Sequence, residues 1–145
     1  RVVLNASPIS DELLNAELSG VDWMVVNEIE CAAMAGCGDA QAGYETLKQR
    51  YPSLGILLTL GSEGSVSWKD GTEVRQCAYP VKAVDTTGAG DAFFAGTVIG
   101  LTYGKTLAQA CEIGSRLAAS VICISENVCP RFRPLEFGLD VPVTD

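Results

Sequence analysis

The sequence predicts an α/β fold: an open, mostly parallel sheet with helices on both faces, three layers in all, carrying one antiparallel hairpin. Three observations predict it. Short, nearly continuous apolar runs, "VDWMVV" and "GILLTL", alternate with stretches of helical character, as strands buried on both faces require. "SVSWKDGTEVRQCAY" surrounds Asp70-Gly71, a pair suited to a tight hairpin turn. A glycine-rich stretch then leads into two long helical segments, roughly residues 91–103 and 106–121.

The elements follow in order. "RVVLNAS" begins with a short apolar strand. Ser10 and Asp11 supply a cap for a helix over "ELLNAELS", which Gly20 ends. After "VDWMVV", the segments "NEIECAAMAG" and "DAQAGYETLKQRY" read as two helices broken at Gly36 and Gly38. "GILLTL" is the third buried strand, and the hairpin follows it. Trp23, Met24, Phe93 and Phe94 are expected in the core, and Lys48, Arg50, Lys69 and Arg75 in solvent. A tail rich in Pro and Arg closes the chain.

Composition narrows the function. The chain has 145 residues, 48% hydrophobic and 19% charged, which is globular rather than disordered. A net charge of -8 argues against nonspecific binding to nucleic acid or anionic membranes. Without histidine, chemistry based on a His base, a Ser-His dyad or a His-bound zinc is excluded. Six cysteines are present and none forms a CxxC pair, so a zinc ribbon or thioredoxin-like motif is not expected. Most sit among Ala, Ile and Val, where reduced thiols behave as small hydrophobes; reduced thiols favour a cytoplasmic setting. No apolar run approaches the ~20 residues of a membrane span.

In open α/β sheets, ligands bind at the carboxyl ends of the strands. That rule selects the positions after "VVN", after "LLTLG" and after "AVDT". The last of these opens "VDTTGAGDAFFAG", Val84 to Gly96. Gly88, Ala89 and Gly90 have little or no side chain and precede a helix expected to begin near Asp91. A helix start offers unpaired N–H groups and partial positive charge, a pocket for a phosphate or for a phosphoryl group in transfer. Asp91, kept ionised there, is placed to accept a proton from a hydroxyl. On residues alone, an ordinary helix N-cap beside a glycine turn explains the same pattern, and Glu30 and the Thr59–Gly64 turn have equally plain readings.

The wider pattern adds a resemblance. "DTTGAGDAFFAGTV" resembles the second signature of the ribokinase-like (PfkB) family of carbohydrate kinases. "NEIE" resembles that family's N-x-x-E motif, on Asn27 and Glu30, and "TLGSEGSV" its nucleotide-binding strand and loop, on Thr59, Gly61 and Gly64. The resemblance implies that Asp91 is the catalytic base, with Gly88, Ala89 and Gly90 as an anion hole. It implies ATP and Mg2+, the metal being reached from Asn27 and Glu30 through water. It places a monovalent cation such as K+ at Asp85 and Thr87, a site that "SENVCPR" would complete. Asn127 stands there where glycine is common in ribokinases, and Cys129 and Pro130 replace more polar residues. Adenine is expected near Ser115 and Arg116, with Arg116 either stacking on the base or lying as a surface cation. Arg131 and Arg133 are further candidates for phosphate contact.

The resemblance spans residues 1–145 but only the C-terminal, nucleotide-binding and catalytic half of such an enzyme. The half that carries the sugar-binding Gly-Gly motif and the lid is absent. The chain is therefore expected to belong to a longer polypeptide, or to pair with a second copy or another chain that covers its sheet edge. Alone it is expected to be inactive. The motifs look closer to ribokinase than to adenosine kinase, which makes ribose the first substrate, with fructokinase and ketodeoxygluconate kinase chemistry alongside. The competing class is a noncatalytic remnant that binds nucleotide or a partner. A nicotinamide dehydrogenase is disfavoured, because its glycine-rich turn belongs after the first strand with an acidic residue about 20 positions on.

Overall fold

A computed structural model describes residues 1–124, 129 and 132–139. These form two compact units, Arg1–Arg75 and Gln76–Asp145.

The first unit is built on a sheet of five strands in sequential order: β1 (Val3–Asn5), β2 (Trp23–Asn27), β3 (Gly55–Thr59), β4 (Ser65–Lys69) and β5 (Thr72–Gln76). The first three are parallel and β4 runs antiparallel to β3. Met24, Val26, Ile56, Leu58 and Val66 pack with Cys31, Met34, Ala35, Tyr44 and Leu47 from α2 (Glu28–Ala35) and α3 (Ala40–Arg50). Val25 and Leu57, on the opposite face of the sheet, are buried as well. Burial on both faces is why these strands read as unbroken apolar runs. At the β4–β5 turn Asp70 and Gly71 both take positive φ, 48° and 81°, the pair of left-handed residues that a type I′ hairpin requires.

Two expectations for this unit change. The helix expected to reach Gly20 is the single turn α1 (Asp11–Leu14). Ser10 caps it as expected, but the Asn15 side chain donates to the Asp11 carbonyl at 2.7 Å and Glu17 accepts from the Ser19 amide. Such local side-chain bonds compete with helix propagation. The basic residues are also not simply solvated. The Lys48 ammonium lies 4.8 Å from the Tyr44 ring centre and pairs with Glu45 and Glu73. Arg50 donates to the Met34 and Ala35 carbonyls at the end of α2, and Lys69 donates to the Asp22 and Ser53 carbonyls. Each finds carbonyls or carboxylates that a linear reading does not reveal. Arg75, exposed beside Glu73, matches its expectation.

The second unit centres on α4 (Ala89–Thr102) and α5 (Leu107–Ile122). Their contact is a seam of small residues. A Cβ on Gly96 would stand 2.8 Å from the Gly114 Cα, and one on Gly100 would stand 2.9 Å from the Ala110 Cα. Backbones this close leave no room for side chains between them. Phe93 is buried as expected, while Phe94 is only half-buried. Thr106 caps α5 in a reciprocal box with Gln109. The segment ahead of α4 is not a strand, contrary to the placement of "AVDT" at a strand end: residues 77–86 carry no regular structure. Pro80 has no amide to give to a strand ladder, and Val84 is 65% exposed. Instead the Val84 and Asp85 amides donate to the Ile122 carbonyl at the end of α5, at 2.7 and 3.4 Å, which satisfies one of the carbonyls a helix leaves open.

Candidate active site

Of the three positions the sequence selects, two lie in the first unit and the third in the second. In the first unit they lie at the carboxyl ends of the parallel strands. Asn27 ends β2 and is the register partner of Thr59, which ends β3. The Asn27 side chain accepts the Glu30 amide at 2.9 Å, and the Glu30 carboxylate accepts the Asn27 amide at 2.8 Å. The N-x-x-E motif is therefore a capping box that starts α2. Glu30 is buried and Asn27 exposed. Thr59 donates to the Val26 carbonyl at 3.4 Å. Gly61 and Gly64 bracket the single 3-10 turn beyond it, closed by a 2.8 Å bond from the Leu60 amide to the Gly64 carbonyl.

In the second unit, Asp91 opens onto a cleft of about 350 Å³ lined by Thr87, Gly88, Ala92, Leu117, Val121 and Cys129. The helix behind it begins two residues earlier than expected. Gly88 is the N-cap, with φ +81°, and Asp91 is the third helical residue. Asp91 is thus not an N-cap, and its exposed carboxylate stands at the positive end of α4. The turn before it is held by two bonds. The Asp85 carboxylate accepts the Thr87 amide at 2.8 Å, which holds its carboxyl below the usual carboxylate range. The Ala89 amide donates to the Thr86 carbonyl at 3.2 Å. Of the three amides expected in the anion hole, that of Ala89 is thus engaged. Those of Gly88 and Gly90 have no protein acceptor among the described residues.

Gly90 is required by nothing among the described residues. Its φ lies outside the left-handed region, and a Cβ built on it would meet no atom within 4 Å. Gly88, by contrast, is fixed by its backbone conformation. Gly90 is exposed, so the space where its side chain would be is open to solvent.

The predicted adenine contacts lie elsewhere. Ser115 is buried. Arg116 donates to the Glu136 carbonyl at 2.8 Å and stacks 5.0 Å from the Phe137 ring centre. It lines a second hollow of about 220 Å³ with Lys105, Gln109, Glu112, Ile113, Phe137 and Gly138. Neighbouring helix residues point about 100° apart, so Leu117 faces the Asp91 cleft while Arg116 faces this one. Arg133 pairs with Glu136 at 3.7 Å. Asn127, Pro130 and Arg131 lie outside the described residues. The sequence reading missed Leu117 and Val121 as cleft walls. Their i,i+4 spacing was the available signal, and it is indistinguishable from core packing.

Comparison with known proteins identifies the family of this chain. A family profile described as pfkB family carbohydrate kinase matches residues 1–127. A fructoselysine 6-kinase of Escherichia coli K12 is 43% identical over 67 residues, 46% of this chain and 26% of that protein. A ribokinase of Haemophilus influenzae is 32% identical over 127 residues, covering 82% of this chain and 40% of the relative. The solved ribokinase of Cryptococcus neoformans in complex with ADP superimposes with a TM-score of 0.77 at 27% identity, over 86% of this chain and 46% of that one. The chain therefore spans less than half the length of these proteins. It shares their three-layer α/β fold, with a mixed five-stranded open sheet. The chain belongs to the pfkB family of carbohydrate kinases.

Proposed function

We propose that this chain carries the nucleotide and phosphoryl-transfer machinery of an ATP-dependent sugar kinase. The first substrate choice is ribose, converted to ribose 5-phosphate. The observation that carries the reading is Gly90: a helix-start glycine with open space at its Cβ, beside the exposed carboxylate of Asp91 in a cleft of about 350 Å³. Asp91 takes the proton of a primary hydroxyl as that oxygen forms a bond to the γ-phosphorus of ATP. The bond from that phosphorus to the bridging oxygen breaks, and ADP leaves. The Gly88 and Gly90 amides donate to the phosphoryl oxygens while charge moves through them. Leu117 and Val121 form an apolar wall that limits water in the cleft.

Among the described residues no group of three or more acidic or thiol side chains is arranged to hold a metal. Asn27 and Glu30 already bind each other, so they fit contact with Mg2+ through water, the mode in which Mg2+ commonly sits on nucleotide phosphates. When bound, Mg2+ neutralises phosphate charge. Asp85 and Thr87 offer the hard oxygen donors suited to a monovalent cation such as K+. Thr59, Gly61 and Gly64 border the nucleotide in this reading. The six cysteines are free and fit a reducing compartment such as the cytoplasm. No helix among the described residues is long and apolar enough to cross a membrane.

The fructoselysine 6-kinase relative, at 43% identity, favours a second substrate reading, a fructosyl amine. Both readings are tested on the gene product that carries this chain, assayed with ATP and ribose, fructose or fructoselysine. Asp91→Asn is expected to lower kcat by roughly 10²- to 10⁴-fold with ATP affinity kept. Undiminished turnover rules out Asp91 as the base. Nucleotide binding without phosphorylation of any sugar favours the noncatalytic remnant.

A further inference from the structure

The hollow of about 220 Å³ beside Arg116 lies within the second unit, off the face of α5 that walls the Asp91 cleft. Its charged groups do not neutralise one another. Glu112 and Arg116 stand four residues apart on α5, the spacing at which an acid and a base ordinarily pair across a helix turn. Here they are drawn apart. The Glu112 carboxylate accepts from the Tyr79 hydroxyl at 3.4 Å, while the Arg116 guanidinium is held by the Glu136 carbonyl and the Phe137 ring. Lys105, half-buried just ahead of α5, has no ion pair or hydrogen bond among the described residues. Gln109 spends its side-chain oxygen on the Thr106 amide and hydroxyl, at 3.0 and 3.2 Å. Its NH2 group remains an unused donor among those residues. The hollow thus gathers an ammonium, an amide NH2 and the remaining N–H groups of a guanidinium fixed by stacking. Lys105 and Gln109 also stand at the positive end of α5. The chain as a whole carries -8, so this concentration of donors is local. Buried Ile113 and Phe137 supply the apolar part of the lining.

We propose that this hollow binds a small organic carboxylate, with its charge among Lys105, Gln109 and Arg116 and its carbon body against Ile113 and Phe137. Charge and lining select that class. Lys105 and Arg116 face the single carboxylate of Glu112, a balance that suits a monoanion better than a phosphate dianion. The apolar residues favour a ligand with carbon to bury, which a bare inorganic anion lacks. The volume lies below the ~300 Å³ at which drug-sized pockets begin, which suits a molecule of metabolite size. The inference does not rest on the kinase reading, because no residue lining the Asp91 cleft takes part.

The test uses the gene product that carries this chain, with isotope-labelled isoleucine methyl groups followed by NMR and butyrate as the probe. Butyramide, its neutral isostere, and sodium chloride at matched ionic strength are the controls. The Ile113 methyl signal, assigned through Ile113→Val, is expected to shift saturably with butyrate, with a Kd on the order of 1 mM. The methyl of Ile29, in the other unit, should stay in place. Butyramide and chloride should move neither. Lys105→Gln is expected to weaken butyrate binding about fivefold, and Glu112→Gln, which removes the opposing charge, to tighten it about twofold. Both variants should melt within about 2 °C of the natural protein, since neither side chain is in an ion pair among the described residues. No saturable shift at Ile113, or an equal shift with butyramide, overturns the proposal. So does binding that Lys105→Gln leaves unchanged or that Glu112→Gln weakens. Displacement of butyrate by an equal concentration of sulfate shows a site for any anion and overturns the choice of a carboxylate. If Lys105→Gln does not fold, Lys105→Met decides by the same criteria.

Discussion

Replacing Gly90 with alanine separates folding from chemistry, because the structure predicts effects of opposite sign. Gly90 is the second residue of α4 and its φ lies outside the left-handed region. A methyl there meets nothing within 4 Å. Alanine is a better helix former than glycine by about 0.5–1 kcal/mol in a helix interior. In the first turn the gain should be near the lower end, about 0.5 kcal/mol, or on the order of 2 °C in Tm. Gly88→Ala is the control. At φ +81° a Cβ costs about 1–2 kcal/mol, so that variant should melt earlier. Activity should fall in both. In Gly90→Ala the methyl would hinder approach to the proposed anion hole, and losing one such donor costs on the order of 10²-fold in kcat. Differential scanning fluorimetry and a coupled ADP-release assay on the gene product read the two effects. A Gly90→Ala protein that is more stable and retains kcat within about threefold would refute the anion-hole assignment. One that is less stable would refute the claim that the fold has no use for this glycine.

Further outcomes are expected. Gly114→Val should destabilise by about 2–3 kcal/mol in urea unfolding, because a Cβ on Gly114 would stand 2.5 Å from the Phe93 carbonyl oxygen of α4. Asn27→Ala should cost about 1 kcal/mol by removing the cap of α2. Glu30→Gln, still able to accept the Asn27 amide, should melt within about 2 °C of the natural protein yet need more Mg2+ for half-maximal rate. Burial, and then the neighbouring Cys37, push the Cys31 thiol up to about 12 from 9.0. The folded state therefore keeps a proton that the unfolded chain releases, and stability should fall as pH rises from 9 toward 12. At pH 8, iodoacetamide should label the exposed Cys77 and Cys123 before Cys31, as read by peptide mass.

The sequence made the central strands legible because both of their faces are buried, which turns a three-dimensional fact into an apolar run. It made the hairpin legible through Asp70-Gly71, whose conformation is local. Local competition is harder to read. Asn15 stops α1 after one turn although the residues beyond it suit a helix, and Gly88, capping by its backbone conformation alone, moves the start of α4 ahead of Asp91. Partners distant in sequence are not readable at all. Arg116 is occupied by Glu136 and Phe137, some 20 residues on, and residues 77–86 find the end of α5 instead of a strand neighbour. The candidate residues stood out through their resemblance to family motifs rather than by type, because a helix cap and a proposed catalytic carboxylate are written with the same letters.

The reciprocal bonding of Asn27 and Glu30 bears on how such chains age. A copy relieved of any role in phosphoryl transfer would still be held to this pair, since each of its two bonds steadies the start of a helix. Only positions with no duty to the scaffold would be released to drift, so a worn-out copy would betray itself first at Gly90 and last at the very motif by which it is most easily recognised.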